Sequence, residues 1–388
     1  MSTPTKSPSL EDTLKAEIAE HGSLPFSRFM EIALYDGDHG YYAARKASIG
    51  KAGDFYTNVS TGAIFGKILC EQFEEIWHAL ETPTRFNIVE QGAFNGQFAF
   101  DVLKHAAAHN PAFFSALIYS IIEPFPLLRE AQQKLLQPYR EKTEWLESLS
   151  QCPEIEGVYF CNELVDALPV ELVEWDGSKW QDRHVEIRDT QFVFRLHPLK
   201  NPDLIRRLEK IPTPQSAPYR TEINLESEPW IAEVAKKLKR GCLLICDYGY
   251  SRKSYYSAKR TEGTLSCYSA HRRSYDPLDL PGEKDITAHV DFTSLAESAI
   301  ACGLIPIGFS DQHRFMVGAA EAFLKRVEKE GINSASQRDI RSLQILLHPE
   351  TMGRAFHYLS FQHRLDITLS GFRHSPQGLK KLDDILPD

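Results

Sequence analysis

A strand that runs directly into a glycine-bearing loop and then a helix constrains this chain more than any other feature. The apolar run Phe86-Asn-Ile-Val-Glu90 predicts a strand, Gln91-Gly92-Ala93-Phe94-Asn95-Gly96 a tight loop, and Phe98 to Ala108 a helix. That order is half of a βαβ crossover, which requires parallel strands. Further apolar runs repeat the theme. Ala116 to Ile122, Gly157 to Cys161 and Cys242 to Cys246 read as strands, Leu304 to Phe309 and Phe356 to Phe361 as closing strands, and Ala319 to Leu347 as helical. The expected fold class is α/β: a Rossmann-like core with a mainly parallel sheet, an N-terminal helical cap and an inserted α+β subdomain.

Boundaries follow from punctuation. Residues 1–60 read as a cap of two short helices followed by a loop rich in Gly and Tyr. Residues 61–169 form the first half of the core, opened by a helix from Thr61 to Leu80. Residues 170–240 are an insertion, with alternation at Glu171 to Trp175 and Gln191 to Arg195 that predicts an antiparallel ribbon. Residues 241–388 supply the second half of the core with a helical insertion.

Lys and Arg total 44 against 53 Asp and Glu, a net charge of −9 without a block of like charge. Non-specific nucleic-acid binding rests on phosphate neutralisation and is disfavoured. The seven cysteines show neither C-x-x-C nor zinc spacing, so no metal is expected. Met1 to Leu10 has no apolar run, and no stretch approaches the roughly 20 apolar residues of a membrane span. These features lead to the expectation of a soluble, cytoplasmic protein.

A dinucleotide pyrophosphate favours G-x-G-x-x-G with bare amides at a helix N-terminus. This loop instead has Gly92 and Gly96 at G-x-x-x-G spacing, which suits a phosphate-free ligand carrying a sulfonium, an amino-acid group and an adenosine. Glu123, ending the next strand, is placed to accept ribose hydroxyls, although it lies further on than the roughly 20 residues of a compact dinucleotide unit. A plain strand-to-helix turn with glycines for backbone geometry stands beside that reading.

Longer motifs decide. Phe29-Met-Glu-Ile-Ala-Leu-Tyr35, Gly40-Tyr-Tyr42, Gly53-Asp-Phe-Tyr-Thr57 with Phe65-Gly66, Asn162-Glu-Leu-Val-Asp-Ala-Leu-Pro-Val170, Asp247-Tyr-Gly249, Gly263-Thr-Leu265, Pro281-Gly282, Asp285-Ile-Thr-Ala-His-Val-Asp-Phe292 and Met352-Gly353 occur in that order. The chain thereby resembles the MidA proteins, a methyltransferase family. The resemblance implies a class I methyltransferase fold, S-adenosyl-L-methionine as cofactor, and protein arginine as methyl acceptor. By motif position it implies Gly53, Asp54, Phe55, Thr57, Glu90, Gly92, Gly96, Glu123, Asn162 and Glu163 around the cofactor, with the early loop as a lid.

One position departs from the family's Gly-x-Gly-x-Gly loop: Phe94 stands where its middle glycine is expected. Glycine there permits positive φ or close ligand approach, and Phe restricts both. Two readings stay open, an active enzyme that accommodates Phe94 and a catalytically silent binding or assembly protein.

For the chemistry, Glu163 and Asp166 follow the fourth strand at the carboxyl edge, where open α/β sheets place their sites. They are the candidate grips for a cationic substrate, with local capping the other reading for Asp166. If Asp285 to Asp291 is extended, Asp285, Thr287, His289 and Asp291 share a face, and His289 becomes a candidate proton acceptor. Asp291 reads as a helix cap before Phe292. The expected partner is a protein substrate, with a homodimer left open and neither nucleic acid nor membrane expected.

Overall fold

Seven strands carry the core: β1 (Phe86–Gln91), β2 (Leu117–Ile122), β3 (Thr143–Leu146), β4 (Ile155–Asn162), β5 (Leu238–Tyr250), β6 (Ile305–Asp311) and β7 (Phe356–His363). Their spatial order is β3-β2-β1-β4-β5-β7-β6, and the short strand Val290–Asp291 adds to the end of β5. Strands β1 to β5 pair in parallel, whereas β7 runs antiparallel to both β5 and β6. This computed structural model describes residues 9–43, 57–269 and 272–375.

The parallel pairing explains the composition of these strands. Crossover helices cover both faces, so β4 and β5 are almost wholly buried and read as continuous apolar runs. Helices Ile64–Ala79 and Gln97–His109 pack beside them through aromatic side chains. Phe98 stacks on Phe160 with ring centroids 4.6 Å apart, and Phe73 meets Phe160 edge-on at 5.7 Å.

The chain divides into two compact units. The core unit comprises Tyr56–Asp166, Glu228–Ser251 and Val290–Asp388, and the other unit Met1–Phe55, Ala167–Ser227 and Arg252–His289. The sequence reading draws an uninterrupted core half from residue 241, yet 252–289 packs with the N-terminal segments. Conversely, most of helix Ser227–Lys237, drawn with the insertion, belongs to the core unit. The expected helical stretch 319–347 is also broken. Gly331 ends helix Glu321–Glu330 at φ +83°, and Asn333 caps the next, Ser334–Leu347, by accepting from the Ala335 and Ser336 amides.

In the N-terminal unit, helices Leu10–His21 and Phe26–Tyr35 pack on an antiparallel sheet. Its strands are Glu171–Trp175, Trp180–Arg188, Gln191–Pro198 and Tyr219–Ile223, with Leu24–Pro25 as a short edge. Phe26 and Phe29 meet Phe194 and Phe192 across this contact. The stretch 285–291 is not one extended run. Asp285–Thr287 pairs with Ser266–Ser269 in a three-stranded sheet of this unit, while Val290–Asp291 joins β5 in the core.

The Gly263-Thr-Leu265 motif has a structural explanation. Glu222, 3% exposed, accepts hydrogen bonds from the Thr264 and Leu265 amides at 3.0 Å, from the Tyr255 hydroxyl at 3.0 Å and from the Thr264 hydroxyl at 3.1 Å. Gly263 lies at φ +76°, and a Cβ there would fall 2.1 Å from Glu222 Oε1. Burial raises the Glu222 carboxyl, and those four donors oppose the rise. Glu222→Ala leaves two amides without an acceptor and should cost about 2–4 kcal/mol, seen as a lower denaturant midpoint. An unchanged midpoint would show that the loop is held by other contacts.

Candidate functional site

Strand order reverses between β1 and β4, because the chain moves outward from β1 through β2 to β3 and then returns to the opposite side. Open α/β sheets bind ligands in the crevice beyond the carboxyl ends at such a reversal. Two turns meet there. A Cβ added at Gly92, just past β1, would fall 3.4 Å from Leu164, just past β4, and 3.9 Å from the carbonyl of Asn162, the last residue of β4.

The first turn has left-handed backbone at Gly92 (φ +83°), Phe94 (φ +46°) and Gly96 (φ +79°). Phe94 therefore adopts the conformation a glycine would take, at a strain of order 1–2 kcal/mol. Its carbonyl accepts from Gln132 Nε2 at 2.7 Å, and the same nitrogen donates to Glu123 Oε2 at 2.9 Å. Trp145 Nε1 donates to Gln132 Oε1 at 2.9 Å and fixes that amide's orientation. Phe94 is half-buried and Gln132 fully buried.

Glu123 lies directly beyond β2, 4% exposed, with Oε1 accepting from the Phe125 amide at 3.0 Å. Burial pushes its carboxyl up to about 7. Glu90, near the end of β1, is likewise buried and raised to about 7 by desolvation, opposed by a 2.7 Å hydrogen bond from the Tyr119 hydroxyl.

The second turn is organised by Asp247 on β5, which is fully buried. Its Oδ2 accepts from the amides of Leu164 (3.2 Å), Val165 (2.9 Å) and Asp166 (3.3 Å), and its Oδ1 from the Tyr248 amide (2.8 Å). Burial raises this carboxyl and the amides oppose the rise. Immediately before these amides, Glu163 has φ +53° and its own amide donates to the Cys246 carbonyl at 2.9 Å. Left-handed backbone at a non-glycine residue persists only where surroundings over-determine it.

A polar relay ends on the Glu163 carboxylate. Asn162 Nδ2 donates to Glu163 Oε1 at 2.8 Å, and Asn162 Oδ1 accepts from Asn58 Nδ2 at 3.2 Å. Because a carboxylate only accepts, this chain fixes both amide orientations. Asn58 is fully buried and also approaches Cys246 Sγ at 3.4 Å, while its Oδ1 has no hydrogen-bond partner among the described residues.

The core unit thus holds Glu90, Gly92, Gly96, Glu123, Asn162, Glu163 and Asp166, with Thr57 at the start of its described chain. Gly53, Asp54 and Phe55 lie outside the described residues. His289 belongs to the N-terminal unit, where its amide donates to the Thr264 hydroxyl at 3.0 Å. Asp291 caps helix Phe292–Ala301 by accepting from the Ser294 amide at 3.1 Å, so it does not share an extended face with His289. Asp166 is buried, its amide engaged by Asp247. Sequence reasoning gave no role to Asn58, Gln132 or Asp247. Only Asp247 left a signal: an acid closing the apolar run Cys242 to Cys246 must be fixed by donors to be buried.

The crevice suits S-adenosylmethionine on its own chemistry. A buried carboxylate past β2 can accept two hydroxyls, left-handed turns admit close approach, and the first turn presents no cationic side chain to oppose a sulfonium. A family model for S-adenosyl-L-methionine-dependent methyltransferases matches residues 68–310. A crystallised Burkholderia thailandensis protein, assigned to the methyl transferases and bound to S-adenosyl-homocysteine, is 30% identical. It superposes with a TM-score of 0.82, covering 96% of this chain and 98% of that one.

Among curated relatives, the Drosophila melanogaster protein arginine methyltransferase NDUFAF7 homolog, mitochondrial, is 28% identical over 91% of this chain and 84% of its own. The human protein arginine methyltransferase NDUFAF7, mitochondrial, is 24% identical over 89% and 82%. Those names contradict the expectation of a cytoplasmic protein, which rested on the absence of a leader-like run rather than on any positive signal. They also favour the enzyme reading over the silent scaffold that Phe94 suggested. The family match, the shared fold and the built crevice place this chain in the MidA family of S-adenosyl-L-methionine-dependent methyltransferases.

Proposed function

We propose that this methyltransferase modifies arginine side chains of a protein substrate. The observation that carries the reading is Glu163: a carboxylate at the carboxyl edge, on strained backbone, oriented by Asn162 and set beside the strand-order reversal. The two relatives named as protein arginine methyltransferases support it.

Bound S-adenosylmethionine supplies an electrophilic methyl carbon on a sulfonium. The protein's task is to place a nitrogen in line with that carbon, a positioning effect of about 7–11 kcal/mol. In our reading Gly92 and Gly96 admit the ligand close to the backbone, Glu123 accepts its ribose hydroxyls, and Glu90 and Asn162 border it. Thr57, by its place in the family motif, is read as a further cofactor contact of the core unit. Glu163, backed by Asp166, receives the guanidinium N–H groups, which a planar fork offers in pairs. A guanidinium keeps its proton at neutral pH, so a carboxylate that holds it also accepts the proton shed around transfer.

The test is transfer of labelled methyl groups to protein, followed by acid hydrolysis. The label should appear in methylarginine, and label confined to lysine or to small molecules would contradict the reading. Glu163→Gln should lower turnover about 100-fold while cofactor affinity stays within about threefold. Equal losses in both would move Glu163 to the cofactor.

Glu123 gives a pH prediction. Its carboxyl titrates near 7 in the folded protein, above the usual carboxylate range, and the ionised form is the better double acceptor. Cofactor affinity should therefore rise with pH through about 7 and fall below it. Calorimetric titration across that window should show the trend in the wild type and flatten it in Glu123→Gln. A wild type without pH dependence would remove Glu123 from the cofactor contact.

A further inference from the structure

We propose that a basic cleft at the far end of the core sheet docks an acidic segment of the protein substrate. The inference rests on the reading that the substrate is a protein. A cavity of about 410 Å3 is lined by Arg314, Arg354, His313, His374 and Asp311, with Val317 and Pro349 beside them. None of these side chains belongs to the cofactor crevice.

The charges do not cancel. Asp311 pairs with Arg314 at 2.8 Å and also caps helix Gln312–Ala319 by accepting from the Arg314 amide at 2.8 Å. Arg354 is exposed and has no ion pair among the described residues. It follows a tight turn in which the Met352 and Gly353 amides both donate to the His348 carbonyl, at 3.2 and 2.9 Å. That gives a role to the Met352-Gly353 motif, which the crevice does not use. His313 Nδ1 donates to the Leu347 carbonyl at 2.8 Å, because a carbonyl can only accept, and this leaves Nε2 as its other polar atom. In a chain of net charge −9 the cleft is locally positive.

Two features point to a peptide. The helix N-terminus that would otherwise cradle a phosphate is already occupied by the Asp311 carboxylate, so recognition falls to side chains at the rim. The cleft also shares its sheet edge with the site. Asp311 pairs with His357, and His357 pairs with Asp247. Three strand spacings from β4 to β6 amount to about 15 Å, which an extended peptide covers in roughly four or five residues. Acidic side chains at that distance from the acceptor arginine would reach Arg354 while the arginine lies near Glu163.

The probe is a fluorescein-labelled oligo-glutamate peptide, titrated against full-length protein by fluorescence anisotropy at low salt. Arg354→Glu should weaken binding about tenfold or more, and added salt should weaken wild-type binding. Arg140→Glu, the same charge change at another exposed arginine of the core unit, should have little effect. No wild-type binding, or equal losses in both variants, would overturn the proposal. Equal Arg354-dependent affinity for a single-stranded oligonucleotide would overturn the peptide as occupant. Cofactor titration of Arg354→Glu should match the wild type. Label confined to small molecules in the methyl-transfer assay would instead defeat the protein-substrate reading, and with it the peptide's role as substrate, while the anisotropy result would stand as a measure of the cleft alone.

Discussion

A fully buried carboxylate that accepts four backbone amides ties the ends of two neighbouring strands together, and the site depends on that tie. Asp247 on β5 gathers the amides of Leu164, Val165 and Asp166 just past β4. The Val165 and Asp166 amides would otherwise be buried donors without an acceptor, at roughly 1–3 kcal/mol apiece. The residue just before the three amides, Glu163, adopts left-handed backbone while its own amide donates to the Cys246 carbonyl. Strain at Glu163 and satisfaction at Asp247 are thus two sides of one arrangement.

The same logic runs through the other turn. Phe94 occupies a position where its relatives' loop pattern calls for glycine, yet it keeps a positive φ because its carbonyl is held by Gln132, which Trp145 holds in turn. Gln132 also reaches Glu123, so one buried amide sets the loop after β1 and the acid after β2 in register. Phe94 thus carries a side chain on backbone of the left-handed kind that glycine favours.

Much of the core was legible in sequence, because parallel strands buried on both faces leave unbroken apolar runs. β1, β2 and β4 are legible to within two residues of their ends for that reason, whereas of β5 only the central run Cys242 to Cys246 is, the strand extending four residues further each way. β3 is not legible, since Thr143–Leu146 is a half-buried edge strand of four residues with no alternation to read. The division into units was harder to read because each unit is assembled from three separated stretches, and periodicity reports local burial rather than which distant segment covers it. In the site, Glu123 and Glu163 were marked by following strands directly. Gln132 and Asn58 left no signal, since a buried amide inside a helix or loop looks like any surface polar residue until its partners are known.

The central claim is that the Asp247 carboxylate builds the site, and cofactor titration of Asp247→Asn tests it most directly. The amide nitrogen would replace one acceptor oxygen and face either the Tyr248 amide or the three gathered amides. Calorimetry on the folded variant should then show S-adenosylmethionine affinity lowered at least about tenfold. Wild-type affinity in a folded Asp247→Asn protein would contradict the account and leave the turn after β4 held by something else.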